Sequence, residues 1–144
     1  MTVDIATMTT ALEDVVGSGQ VFTGEAISDD LTHDEVLGMP GVRPAAVVRP
    51  ADTDQVAAVV AWASANGVPV TARGAGTGMS GACIPHPDGI LISFDRMRSI
   101  VEIDLDNHVA VVQPGVTLLE LDEALRPHGL IYPVQPGENS ASLG

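Results

Sequence analysis

The sequence contains no lysine; its six basic residues are all arginines, set against nineteen Asp and Glu for a formal charge of −13. Without lysine there is neither a Walker-type phosphate lysine nor a Schiff base formed within this chain. So little positive charge also argues against nucleic acid as a partner, because binding it needs cationic patches that displace counterions. The single cysteine, Cys83, excludes an internal disulfide and a CxxC metal clip, and reads as a small buried hydrophobe. Aromatic residues make up only 3% of the chain, so the core must be built from Val, Ala, Leu and Ile. No apolar run approaches the roughly 20 residues that span a bilayer. The N-terminus, with Asp4 and no basic residue, does not read as a secretory signal. These absences predict a soluble, cytoplasmic protein.

What the chain does contain suffices for one ordinary domain: 144 residues, 45% of them hydrophobic, can bury a core. Residues 1–42 carry eight carboxylates and no arginine, and are read as an acidic N-terminal helix and arm. Thr10 and Glu13 have capping-box spacing, which predicts a short helix from Ala11 to Val16 ending at Gly17. Gly24 to Gly41 is loosely patterned and reads as an arm able to wrap a partner surface.

Residues 43–144 have a different character and form the second region. Ala45 to Arg49 is a short strand stopped by Pro50. Asp52 with Gln55, or Thr53 in the neighbouring register, opens a helix whose buried stripe is Val56, Val59, Val60 and Ala63, ended by Asn66-Gly67. Val68 to Ala72 is a further strand, which completes a β-α-β unit. Ile90 to Ser93 is another. Ser99–Asp104 and His108–Gln113 form a hairpin about Leu105-Asp106-Asn107. Thr117 and Glu120 make a second capping box for a helix through Leu118, Leu121, Ala124 and Leu125. His128-Gly129 closes that helix, and Leu130 to Tyr132 is predicted as one more short strand. The fold class is α+β, with mixed β-sheets and flanking helices.

The stretch from Val70 to Ala82 reads VTARGAGTGMSGA. Gly76, Gly78 and Gly81 match G-x-G-x-x-G, but a Rossmann site needs a helix to open at the loop and hold the pyrophosphate. Pro85 and Pro87 forbid that helix. A different phosphate cradle remains available. Successive glycines let backbone N–H groups converge into an anion-binding nest; Thr77 and Ser80 add hydroxyls, and Arg73 adds positive charge.

In order along the chain stand Val48-Arg49-Pro50, a Val/Ala-rich helix, Pro69 to Gly81, Asp95-Arg96-Met97 and Val112-Gln113-Pro114-Gly115-Val116. Gly129-Leu130 and Pro136-Gly137-Glu138-Asn139-Ser140-Ala141-Ser142-Leu143-Gly144 close the series. From about residue 20 onward this order resembles the first part of the FAD-binding domain of the vanillyl-alcohol oxidase/p-cresol methylhydroxylase (PCMH) class. Within the class it is most similar to the glycolate oxidase D subunit and FAD-linked D-lactate dehydrogenases. The resemblance implies the N-terminal part of a two-subdomain FAD-binding fold. It further implies that Arg73, Gly74, Ala75, Gly76, Thr77, Gly78, Met79 and Ser80 wrap the FAD pyrophosphate, mainly through the amides of Gly74, Ala75, Gly76 and Thr77. Pro114 and Gly115 would approach the flavin by backbone. Ser140 to Gly144, with Leu143, would begin a second loop on the cofactor's other side. Some members of the class attach the flavin through a histidine; the matching position here is Thr77, so the expectation is non-covalent FAD.

The remaining polar residues read as ordinary structure. His86 lies between prolines, His108 beside a turn and His128 at a helix end, where imidazolium favours the dipole. His33 beside Asp34 and Glu35 reads as part of an exposed acidic arm, so neither a metal site nor a catalytic residue is expected. The chain stops inside the expected second glycine motif, and the family's substrate-binding residues fall later. The expectation is therefore the truncated N-terminal FAD-binding portion of a flavin-dependent 2-hydroxy-acid dehydrogenase or oxidase, inactive alone and exposing an apolar strand edge. Its partners would be a small 2-hydroxy acid and other oxidase subunits, with a peripheral place at the membrane's inner face. Two alternatives are kept: the same scaffold in a D-2-hydroxyglutarate dehydrogenase or alkyl-dihydroxyacetone-phosphate synthase, and a non-enzymatic docking module.

Overall fold

The computed structural model of the chain describes residues 3–134 and 137–144; Pro136, at the start of the closing motif, lies outside them. Its main sheet has the order β1-β2-β4-β3, formed by Val21–Phe22, Ala46–Val48, Ile90–Ser93 and Val70–Arg73. Strand β4 lies between β2 and β3 and runs parallel to both, whereas β1 is antiparallel to β2. Strands β2 and β4 are buried along their whole length, as central parallel strands covered on both faces must be.

The two faces are covered differently. Ala46, Val48, Ile90 and Ile92 form one cluster with Met8, Leu12 and Val16 of helix α1 (Ile5–Val16) and with Val59 and Ala63 of helix α2 (Thr53–Asn66). The alternate residues, Val47 and Leu91, meet Ile27, Phe22 and Leu31 on the other face. The first part of the segment Gly24 to Gly41 packs on this sheet. Ile27 is a lid on the sheet, and Arg43 ties the segment down by donating to the carbonyls of Gly24 and Ile27 (3.1 and 2.5 Å).

Helix α1 is longer than its sequence suggests. It starts at Ile5, because the Asp4 carboxylate accepts from the Thr7 N–H at 3.1 Å. Thr10, expected as the cap, is instead inside the helix, with its hydroxyl on the Ala6 carbonyl. Helix α2 follows its expected cap, with Asp52 accepting from the Gln55 N–H at 2.9 Å and Gly67 left-handed at φ 63°. Val60, assigned to its buried stripe, faces out and is 44% exposed, leaving Val59 and Ala63 as the buried contacts.

Beyond the sheet, β5 (Ile100–Asp104) and β6 (Val109–Val112) form the expected antiparallel hairpin. The Asp104 carboxylate closes its turn by accepting from the backbone N–H groups of Asp106 and Asn107, both at 3.0 Å. Helix α3 (Leu118–Leu125) packs Leu121 and Leu125 beneath the hairpin around Val116. Its capping box is the predicted one, Thr117 with Glu120 in reciprocal bonds. Leu130 to Tyr132 forms no strand; Leu130 and Tyr132 pack against the hairpin cluster as side chains, without a ladder partner.

Candidate functional site

Strand β3 ends at Arg73, and the chain then turns through Gly74 to Gly81 without forming a helix. Arg73 does not project from this loop. It is only 7% exposed, its Nη1 donates to the His33 carbonyl at 2.5 Å, and its guanidinium fills the space beneath Gly76. Gly76 has φ 78°, the left-handed region that favours glycine, and a β-carbon there would have to displace the end of the Arg73 side chain. The Gly78 carbonyl accepts from the Glu35 N–H at 2.8 Å. Among the described residues, the N–H groups of Gly76, Thr77, Gly78, Met79 and Ser80 have no acceptor. Ala75, Gly78, Met79 and Ser80 are exposed; Gly74 and Thr77 are half-buried.

Two further segments converge on this loop. The Ala75 N–H donates to Ser142 Oγ at 2.9 Å, and that hydroxyl donates to the Gly144 carbonyl at 2.9 Å. The Gly144 N–H in turn donates to the Pro114 carbonyl at 3.0 Å, and the Gly115 N–H to the Met97 carbonyl at 2.9 Å. A β-carbon on Gly74 would overlap Ser142 and Gly144, and one on Gly115 would overlap the carbonyls of Phe94 and Met97. The loop 74–81 is thus joined to the segment 142–144 through the Ser142 hydroxyl, and that segment to the turn at Pro114-Gly115 by backbone.

Two of the predicted residues turn their side chains elsewhere. The Ser140 hydroxyl donates to Glu138 at 2.7 Å, and together with the Ser140 N–H it holds that carboxyl below its ordinary value. Leu143 packs into the cluster under the hairpin and meets the site only by backbone, its N–H donating to the Val116 carbonyl at 2.9 Å. Sequence reasoning did not single out Ser142, one of three serines and alanines in a run, and it read His33, Asp34 and Glu35 as an exposed acidic arm, whereas Asp34 is buried and the Glu35 N–H bonds the glycine loop. Cys83 is half-buried; burial pushes its thiol up, Arg73 acts the other way and Asp34 adds to the rise. Among the described residues no three His, Cys, Asp or Glu lie where they could hold a metal ion. An open cavity of about 490 Å³ lies apart from the loop, between the hairpin and α3, lined by Ile103, Val112, Leu121 and Tyr132 among others.

Strand β3 thus feeds a loop rather than a helix, unlike the Rossmann arrangement, in which a helix opens at the loop. The FAD binding domain family matches residues 44–144, and the chain belongs to that family. It is 51% identical over 137 residues to an uncharacterised FAD-linked oxidoreductase of Mycobacterium tuberculosis, covering 95% of this chain and 30% of the relative. It is 38% identical over 125 residues to a D-lactate dehydrogenase of Anaerostipes hadrus (87% and 26% covered). It is also 41% identical over 103 residues to the glycolate oxidase subunit GlcD of Escherichia coli K12 (71% and 21%). The chain thus spans less than a third of the length of these curated relatives. Among solved structures, 4-ethylphenol oxidase from Gulosibacter chungangensis superposes with a TM-score of 0.78 at 28% identity, over 95% of this chain and 27% of that one. p-Cresol methylhydroxylase gives a TM-score of 0.72 at 21% identity, over 87% and 25%, a likeness of fold alone. The fold is α+β and PCMH-type, and the cofactor of the family is FAD.

Proposed function

We propose that this chain is the FAD-holding portion of a flavin-dependent dehydrogenase or oxidase of small 2-hydroxy acids, of the glycolate or D-lactate kind. The observation that carries the reading is the row of free N–H groups from Gly76 to Ser80, braced by Ser142 and Gly144 on one side and Arg73 below. Such a nest suits the diphosphate of FAD, which supplies two adjacent anionic groups for converging amides. Arg73 adds its charge from beneath, through the loop, rather than by direct contact. Pro114 and Gly115 form the neighbouring wall, where Gly115 packs against the carbonyls of Phe94 and Met97. Ser142 to Gly144 adjoin that wall rather than facing it, the Gly144 N–H lying on the Pro114 carbonyl.

When bound, FAD supplies the hydride acceptor for oxidation of the carbinol carbon, giving the 2-oxo acid. This chain holds and orients the cofactor; it carries no residue to which proton transfer is assigned. Attachment is non-covalent: Thr77 offers no imidazole, and burial keeps the Cys83 thiol protonated at neutral pH. The likeness to a glycolate oxidase subunit supports further oxidase subunits as partners. Among the described residues no helix is long and apolar enough to cross a membrane; we place the protein in the cytoplasm, with any membrane contact peripheral.

The test is to purify the protein from its complete reading frame and record its flavin spectrum before and after acid precipitation. Yellow protein that releases FAD on precipitation, and bleaches without oxygen on adding glycolate or D-lactate, is the expected result. A folded, colourless protein that takes up no added FAD overturns the reading. Flavin retained in the precipitate overturns non-covalent attachment.

A further inference from the structure

Residues 33–36 lie outside the part of the chain that matches the FAD-binding family, yet they form the floor of the glycine loop. Asp34 is only 4% exposed and forms no ion pair among the described residues. A carboxylate buried to that extent is costly unless it accepts hydrogen bonds. One oxygen accepts from the Val36 N–H at 3.2 Å, and the other from the Cys83 N–H at 3.5 Å. The second oxygen also faces Gly78, lying 3.8 Å from where a β-carbon would stand.

The adjoining peptide completes the arrangement. The Glu35 N–H holds the Gly78 carbonyl at 2.8 Å. Asp34 thus fixes the limb of the loop that returns at Cys83, while Glu35 fixes its crest at Gly78. In a trans peptide the carbonyl and the following N–H point in opposite directions. Drawing the Gly78 carbonyl down toward the floor therefore turns the Met79 N–H up, to the side where an anion would sit. The His33 carbonyl holds the Arg73 guanidinium under Gly76 in the same way. Three consecutive residues of the arm each grip a different point of the loop.

We propose that Asp34 is a positioning residue of the FAD site, setting the direction of the loop amides without touching the cofactor. This rests on the assignment of the diphosphate to Gly74–Ser80. The test compares wild type with Asp34→Ala, in protein from the complete reading frame freed of flavin. FAD and riboflavin, which lacks the diphosphate, are titrated by fluorescence, and amide hydrogen exchange is read alongside. Loss of hydrogen bonds to a charged acceptor is expected to weaken FAD about tenfold, with riboflavin unchanged within about twofold at the same precision. Amides 78–83 exchange faster, and those of β2 and β4 do not. FAD binding to Asp34→Ala equal to wild type overturns the proposal, as does a parallel loss of riboflavin. Should Asp34→Ala fail to fold, Asp34→Asn keeps the volume and one acceptor, and is expected to weaken FAD by about threefold or more with the same selectivity. No FAD binding by wild type contradicts the cofactor assignment instead, so the two failures are separable.

Discussion

Ser142 Oγ accepts a hydrogen bond from the Ala75 N–H at 2.9 Å, joining two loops 67 residues apart in the chain. The same hydroxyl donates to the Gly144 carbonyl, so one side chain fastens the glycine loop to the segment 142–144. Its value lies in preorganisation: loop residues already held in place lose less freedom when a ligand binds. Ser142→Ala leaves the Ala75 amide unpaired and the loops unlinked. It is expected to lower FAD affinity by about three- to tenfold, roughly the effect of one neutral hydrogen bond, with little change in thermal midpoint. Fluorescence titration and a melting curve on the same sample check both parts.

Gly115 sits where a β-carbon would overlap the Phe94 carbonyl and crowd that of Met97 at 2.8 Å. Backbone carbonyls cannot swing aside as side-chain tips do. Gly115→Ala therefore has to shift the turn at Pro114-Gly115 and is expected to cost about 1–3 kcal/mol, the range for overpacking. Urea unfolding measures it. The Gly144 N–H donates to the Pro114 carbonyl, so the same substitution should also weaken FAD.

Much of the fold was legible where its chemistry is local. Thr117 and Glu120 announce a capping box by identity and spacing, and the structure forms that box residue for residue. Pro85 and Pro87 ruled out a helix after the glycine loop, and none is present there. What could not be read was carried by main-chain atoms across long separations. The grips of His33 and Glu35 on Arg73 and Gly78 use a carbonyl and an amide, which every residue possesses and no side chain advertises. The covering of Val47 and Leu91 by Ile27 likewise depended on which sheet face was left open. The start of α1 was misplaced because Thr10 and Glu13 mimic a cap, while Asp4 and Thr7 make the real one.

Glu120 makes α3 sensitive to acid. The Thr117 N–H first, and the Arg98 guanidinium and Thr117 hydroxyl after it, hold this carboxyl below its ordinary value of 4.5. A group more acidic when folded favours the folded state in its charged form. Its contribution is complete above the unfolded value near 4.5 and is lost as pH falls through the lower folded value. Glu120→Gln is therefore expected to flatten the acid limb of the stability curve, leaving the slope at neutral pH unchanged. Urea midpoints taken from neutral down through the carboxylate range check this. Thr117→Ala removes the other half of the box and should cost about 1 kcal/mol at neutral pH.

The hairpin displays an apolar outer side, with Val101 64%, Val109 50% and Val111 45% exposed. An exposed row of β-branched residues next to open strand edges favours association between chains. Replacing Val109 and Val111 by Thr keeps strand propensity while removing that surface, and is expected to reduce concentration-dependent association in sedimentation experiments.

The loop amides are the proposed ligands of the FAD diphosphate, and amide nuclear magnetic resonance during an FAD titration observes them one by one. The predicted result is that the largest shifts fall on Gly76 to Ser80, with smaller ones at Ala75, Gly115 and Ser142, and that riboflavin leaves Gly76 to Ser80 unmoved. Shifts confined to the cavity between the hairpin and α3, with the loop amides still, would contradict it.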